Sequence, residues 1–451
     1  MKLFRKKTRL TAWQLLALGY LAVILFGSLL LILPFATKDG NTTYLNALFV
    51  SASATCVTGL VPYDTGTHWS LFGQIVILLL IQTGGLGFMT FVSVAVKMLG
   101  KNMGLFGKKA LMASAGETHL SGLKHLIKRI VVGTLILEIV GAVLLSFRFV
   151  GDFGWAKGIY FAIWHSVSAF CNAGFDLLGG EFGQFSSFTH YATDPLVILT
   201  LSALIVVGGL GFCVWSDVID TKFRWKNFRL HTKIVLSVSG TLLIASTLLF
   251  LLFERNNPEC ANLSAGGKLL VAIFNAVTPR TAGFNTTDLT QLSDSGYLLT
   301  VMLMFVGGCS GSTAGGVKLN TCAVIIMGMI AAFRGKLDVN LGKKRIDGAL
   351  VSQALAIFVS CLFLVCLSTV AICAIEPSLN FKSALFETVS ALGTVGLSLS
   401  VTPTLCAVSK VIIIFLMYAG RVGILTIALA FGENRSTADV RKPLDNTILI
   451  G

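Results

Sequence analysis

Charged side chains are scarce in this sequence, 12% of 451 residues against about 25% in an ordinary water-soluble domain. Acidic residues are scarcer still, 21 Asp and Glu against 35 Lys and Arg. Paired cysteine spacing is missing as well. The ten cysteines form no C-x-x-C and several sit inside apolar runs, which excludes the disulfide framework of a small secreted domain. There is no H-E-x-x-H and no matched pair of aspartates within an apolar segment. The serines of the glycine-rich stretch 307–316 have only Lys318 near enough in sequence to activate them, so a membrane-embedded enzyme finds no constellation here. No strand-helix-strand unit surrounds a glycine fingerprint, so no nucleotide-binding domain is encoded.

What the sequence does contain is apolar length. Hydrophobic residues make up 55% of it and the mean hydropathy is +0.82. Charge-free runs at 10–37, 69–96, 195–216, 234–253, 295–317 and 349–375 are each long enough to cross a bilayer core of roughly 30 Å as a helix. The first follows Lys2, Arg5, Lys6, Lys7 and Arg9 as a signal peptide would, but its apolar run is too long for one and no small-residue cleavage site is evident, so it reads as a retained helix.

The basic residues cluster at 2–9, 97–129, 222–233, 334–345 and 435–442, which hold 25 of the 35. Asp64, Asp152, Asp176, Glu181, Asp194, Glu259, Asp288, Asp294 and Glu376 fall between the clusters. The positive-inside rule places the clusters and both termini in the cytoplasm, and this alternation argues against nucleic acid as the partner of the positive charge. It also divides the chain into four units, 10–98, 124–222, 230–334 and 347–433, followed by a cytoplasmic tail at 434–451. Each unit enters and leaves from one side, with a helix, a shorter re-entrant stretch and a second helix. The expected fold is an all-α integral membrane protein, with eight transmembrane helices and four re-entrant pore helices in pseudo-four-fold symmetry around one pore. A secondary transporter of inverted repeats would need two opposed halves, whereas these units share one orientation.

The middle stretches 47–60, 162–175, 272–284 and 384–397 share a pattern: alanine, an apolar residue, an aromatic, then a hydroxyl residue and a glycine. Gly59, Gly174, Gly283 and Gly396 fall in register. Ser53, Ser168 and Ser390 lie six residues before their glycine and Thr278 five before, so the third unit has lost one residue. A glycine at one fixed place suits an extended turn that aims carbonyls inward, and rings of backbone carbonyls replace the hydration shell of an ion. The expected selectivity filter is Cys56, Val57, Thr58 and Gly59; Cys171, Asn172, Ala173 and Gly174; Arg280, Thr281, Ala282 and Gly283; and Gly393, Thr394, Val395 and Gly396. Carbonyls of Val57, Thr58, Asn172, Ala173, Thr281, Ala282, Thr394 and Val395 would meet the ion. Thr394-Val395-Gly396 matches the start of the potassium-channel filter TVGYG. The preceding half-helices should end near Thr55, Phe170, Thr278 and Leu392, with their negative dipole ends towards the cation.

Small residues recur after each loop, at 84–87, 208–211, 307–310 and 419–422, a spacing that lets helices approach closely. In the third unit they extend into Gly307, Gly308, Cys309, Ser310, Gly311, Ser312, Thr313, Ala314, Gly315 and Gly316, followed by Lys318. Five glycines in ten residues undermine a helix by about 1 kcal/mol each, so a mobile loop beneath the filter is expected, with a static kink as its alternative. Arg421 lies between two apolar runs and, in this alignment, at the level of Leu86, Leu210 and Cys309. It is expected to project towards the axis and to act as a gate, repelling a cation or pairing with the carbonyls of the glycine loop; the structural alternative is a salt bridge to Glu387. Glu138, His165, Asn275 and Glu387 are read as supports of the pore helices, and the Arg280 charge as pointing away from the ions.

On these four loops, the broken helix of the third unit and the basic residue of the last helix, the sequence resembles the superfamily of K⁺ transporters that includes Trk, Ktr and plant HKT proteins, most closely the membrane subunit of the Ktr type. The resemblance covers the whole chain. It implies K⁺ uptake across the plasma membrane, with Gly59 favouring K⁺ over Na⁺ and Na⁺ as a candidate stimulating ion. It further implies a homodimer in the lipid bilayer under the control of a separate cytosolic ring, on which ATP and ADP would bind.

Overall fold

The computed structural model describes residues 11–87, 89–90, 92–93, 123–261, 263–336, 339–341 and 344–431. The tail at 434–451 and most of the basic stretch 97–129 lie outside them. The first described segment forms α1 (Ala12–Leu31), α2 (Tyr44–Cys56) and α3 (Leu71–Gly85). Next come α4 (Leu123–Phe153), α5 (Trp155–Phe170), α6 (Pro195–Gly209) and α7 (Phe212–Asp220). These are followed by α8 (Leu230–Phe253), α9 (Ala265–Val277), α10 (Asp294–Phe305) and α11 (Leu319–Phe333). After an antiparallel hairpin of β1 (Val339–Leu341) and β2 (Lys344–Ile346), the chain closes with α12 (Gly348–Ile375), α13 (Phe381–Gly393), α14 (Ala407–Val422) and α15 (Ile424–Phe431). The hairpin corrects the expectation of helix alone.

α1, α4, α8 and α12 are long and apolar enough to cross a membrane. Their outward residues, among them Phe26, Phe147, Leu248 and Phe363, stand exposed, which suits lipid and would be costly in water. The helices that follow them invert this pattern. α2, α9 and α13 have 13 residues each and α5 has 16, too few to cross roughly 30 Å at 1.5 Å per residue. Their aromatic residues Phe49, Trp164, Phe274 and Phe386 are fully buried. Hydroxyl and carboxamide caps fix where the short helices start: Thr43 accepts from the Asn46 amide, Ser264 from that of Gly267 and Asn380 from that of Lys382.

The third member is interrupted in the second and fourth units. α6 and α7 meet at 92°, and α14 and α15 at 89°. Gly211 (φ 99°) and Gly423 (φ 89°) make these corners, and Gly87 (φ 83°) follows the end of α3. The single span expected over 195–216 is therefore two helices, and Arg421 lies in the last turn of α14 rather than at mid-helix. In the third unit the break is the stretch between α10 and α11, as the glycine content foretold.

Candidate functional site

At or shortly beyond the end of each short helix the chain turns left-handed. Val57 (φ 59°), Asn172 (φ 59°), Thr281 (φ 72°) and Thr394 (φ 52°) all stand two residues before Gly59 (φ 94°), Gly174 (φ 70°), Gly283 (φ 79°) and Gly396 (φ 94°). Non-glycine residues at positive φ are uncommon, and for valine and threonine they are strained, so four in matching places need outside support. Hydroxyls buried in the helix ends supply it. Ser53 accepts from the Gly59 amide at 3.0 Å, Ser390 from the Gly396 amide at 3.1 Å and Ser168 from the Phe175 amide at 3.1 Å. Thr278 instead donates to the Phe284 carbonyl. The residue missing from the third unit is absorbed here: the Ala282 amide bonds four residues back to Thr278, where Thr58, Ala173 and Val395 bond five back.

The four glycines meet. A Cβ on Gly59 would stand 2.6 Å from the Ala173 oxygen, on Gly174 2.8 Å from that of Ala282, and on Gly283 2.5 Å from that of Val395; on Gly396 it would strike that of Thr58. Each glycine faces the carbonyl preceding the next glycine, and the circuit closes on itself. Only a residue without a side chain fits at any of its corners.

Behind this ring, the third helices press on the ends of the short ones. A Cβ at Gly84 would meet the Thr55 carbonyl, one at Gly208 that of Phe170 and one at Gly420 that of Leu392. Thr55, Phe170 and Leu392 each precede their ring glycine by four residues, and Gly87, Gly211 and Gly423 follow three after these contacts. The register from sequence is thus one residue off in the last unit. Arg421 corresponds to Gly85 and Gly209, not to Leu86 and Leu210.

The stretch 307–316 lies against the helix-end side of the ring. Its backbone is held by neighbouring segments: the Cys309 amide donates to the Gly209 carbonyl (3.0 Å), the Phe212 amide to that of Gly311 (2.8 Å) and the Gly307 amide to that of Val317 (2.9 Å). Gly315 packs against Thr394 and Gly316 against Gly393, so it touches the fourth loop. Two cations hold its oxygens. Lys318 Nζ donates to the Ala314 carbonyl at 2.8 Å, and Arg421 donates to that of Thr313 and, on its other side, to those of Gly84 and Gly85. The salt bridge between Arg421 and Glu387 is not formed; Glu387 accepts from Ser398 at 2.8 Å and from Thr402 in the loop beyond the fourth ring glycine.

Arg280 is buried with its side chain turned to α8, where Nη2 donates to Ser239 Oγ at 3.1 Å. His165 has its Nδ1 2.7 Å from the Phe161 carbonyl and takes the Leu177 amide on Nε2 at 3.2 Å, a neutral imidazole buttressing the second loop. Glu138 accepts from Gln82, and Asn275 makes no side-chain hydrogen bond among the described residues.

Three residues of the opposite face were missed. Asp64 takes the amides of Thr67 (2.8 Å) and Phe185 (3.0 Å), tying the loop of the first unit to that of the second. Lys410 donates to Asn46 Oδ1 at 3.0 Å and is largely buried. Burial keeps His68, stacked on Tyr63, below the usual imidazole range, so it adds no charge there at neutral pH. Single polar residues such as Asp64 and His68 in a connecting segment, or Lys410 in the first turn of α14, have no periodicity to betray them.

Residues 20–438 match the model of the TrkH family, described as cation transport proteins, and the chain belongs to that family. It is a multi-pass membrane transporter family, not a family of enzymes. Among its relatives are the potassium/sodium uptake protein NtpJ of Enterococcus hirae, 41% identical over 99% of each chain, and the Ktr system potassium uptake protein B of Bacillus subtilis, 39% identical over 99% of this chain and 98% of that one. The crystal structure of the potassium transporter TrkH from Vibrio parahaemolyticus shares the fold, with a TM-score of 0.72 at 19% identity over 96% of this chain and 86% of that one.

Proposed function

We propose that this chain takes up K⁺ across the plasma membrane through one pore, enclosed by four units in pseudo-four-fold arrangement at 10–98, 124–222, 230–334 and 347–433. The closed circuit of carbonyls and glycines at Gly59, Gly174, Gly283 and Gly396 carries the reading. A dehydrating cation needs several oxygens at once, and main-chain oxygens from four loops offer them without a fixed negative charge. The C-terminal ends of α2, α5, α9 and α13 add partial negative charge at the same place. Relatives named for potassium uptake support K⁺ as cargo, and one named for potassium and sodium supports Na⁺ as a second ion. A membrane potential drives the ion inward with about 2.3 kcal/mol per charge per 100 mV.

The stretch 307–316 is the gate in this reading. It stands on the helix-end side of the ring, pinned by Lys318 and Arg421, and conduction requires its withdrawal. Both termini are cytoplasmic, a homodimer forms in the bilayer, and a separate nucleotide-binding ring supplies regulation by ATP and ADP; relatives named as parts of a Ktr system support a multi-component assembly. The test is flux into liposomes holding the purified chain, with K⁺, Rb⁺ and Na⁺ compared. K⁺ and Rb⁺ should pass faster than Na⁺, and equal rates for K⁺ and Na⁺ would remove the selective filter.

A further inference from the structure

Asn172 joins three segments that meet at the inner end of the carbonyl ring. Asparagine tolerates the left-handed backbone it adopts there, a place held by Val57, Thr281 and Thr394 in the other units. Its Nδ2 donates across to the third loop, to the Arg280 carbonyl at 3.3 Å and to Thr281 Oγ1 at 3.3 Å. Its Oδ1 accepts from Thr313 Oγ1 of the 307–316 stretch at 3.2 Å. Asn172 and Thr313 are both buried, so neither group has water to fall back on. Gly208 leaves the room for this meeting: a Cβ there would stand 2.9 Å from Asn172 Oδ1 and 3.1 Å from Thr313 Oγ1.

We infer that Asn172 is a positioning and specificity residue. It latches the 307–316 stretch shut through Thr313 and, once Thr313 withdraws, offers the freed Oδ1 to the cation at the inner mouth of the ring. This rests on the pore reading above. Thr313 Oγ1 occupies Asn172 Oδ1 in the shut arrangement, so the latch and the ion compete for one oxygen. Closure and occupancy of that inner position are then linked, and each disfavours the other. The two Nδ2 bonds belong to the filter side and persist in both states, which holds the amide plane in place while its oxygen changes partner.

The full chain in liposomes tests this, with K⁺ flux and the K⁺ to Na⁺ ratio both read. Thr313→Val leaves Oδ1 unpaired only in the closed state, so flux should rise about five-fold, the worth of one neutral hydrogen bond, with the ratio unchanged. Thr313→Ser should restore wild-type flux. Asn172→Leu should raise flux and lower the ratio, and adding Thr313→Val to it should raise flux no further. Unchanged or lower flux in Thr313→Val that elutes as wild type, or an unchanged ratio in Asn172→Leu, overturns the inference. Should Thr313→Val not fold, the ratio in Asn172→Leu decides alone. Wild-type liposomes that pass no K⁺ would defeat the pore reading, whereas normal wild-type flux with an indifferent Thr313→Val defeats only the latch.

Discussion

The guanidinium of Arg421 donates to the carbonyl of Thr313, 108 residues earlier in the chain, and to that of Gly84 at the end of α3. An arginine at membrane depth costs about 2.5–3.5 kcal/mol even on lenient scales. Helix-end carbonyls carry partial negative charge and offset that cost, but the Thr313 bond exists only with the glycine stretch in place. If the stretch is the gate proposed above, the same side chain favours its shut arrangement and sets a positive charge in the ion's path.

Arg421→Ala should therefore raise K⁺ flux at least ten-fold, since each charge-assisted hydrogen bond lost from the shut state is worth about 1.5–3 kcal/mol. Tracer uptake into liposomes measures it. Unaltered or reduced uptake by a variant that still elutes as wild type would assign Arg421 to scaffolding alone.

Removal of residues 309–315 should give higher flux still. The bonds these residues make to Gly208, Gly209 and Phe212 are replaceable by water once the stretch is gone. Deletion with unchanged flux would identify a static kink.

Gly283→Ala places a methyl group 2.5 Å from the Val395 carbonyl at a φ of 79°. K⁺ flux should fall at least ten-fold, and Gly174→Asp should abolish it. Normal flux in Gly283→Ala would mean that the ring is not the ion's route.

Glu387→Ala removes the buried acceptor of Ser398 and Thr402, at a cost of about 2–4 kcal/mol. Glu387→Gln, which can still bond both, should lose less than half as much, read as thermal unfolding in detergent. Equal losses would point to the charge rather than the hydrogen bonds.

Three of the long outer helices and the four loops were legible because each has a physical signature that sequence records directly. Twenty or more apolar residues without charge announce α1, α8 and α12, whereas α4 carries Glu138 and Arg148 within its length and shows no such run; a glycine nine or ten residues after a buried aromatic announces the loops. The corners at Gly211 and Gly423 were not legible. A glycine inside an apolar run reads the same whether it permits close packing or a positive φ, and only the neighbouring carbonyl decides. The runs 84–87, 208–211 and 419–422 accept two registers for the same reason, which is how Arg421 came to be set against Leu86 and Leu210. That Arg421 reaches the glycine stretch rather than Glu387 was open in sequence, because both partners lie far off along the chain. The Asn172 side chain was passed over because filter chemistry was sought in main-chain oxygens.

The 307–316 stretch owes most of its backbone hydrogen bonds to other segments, with the carbonyls of Gly208, Gly209 and Val317 and the amide of Phe212 among its partners. None of these groups can be left bare in a medium as dry as a membrane interior. If the stretch swings aside as the proposed gate, solvent must reach every one of them at once, and wetting and opening become a single step. Transport by this chain should then slow under osmotic stress from an impermeant sugar, in proportion to the number of water molecules the conducting state takes in.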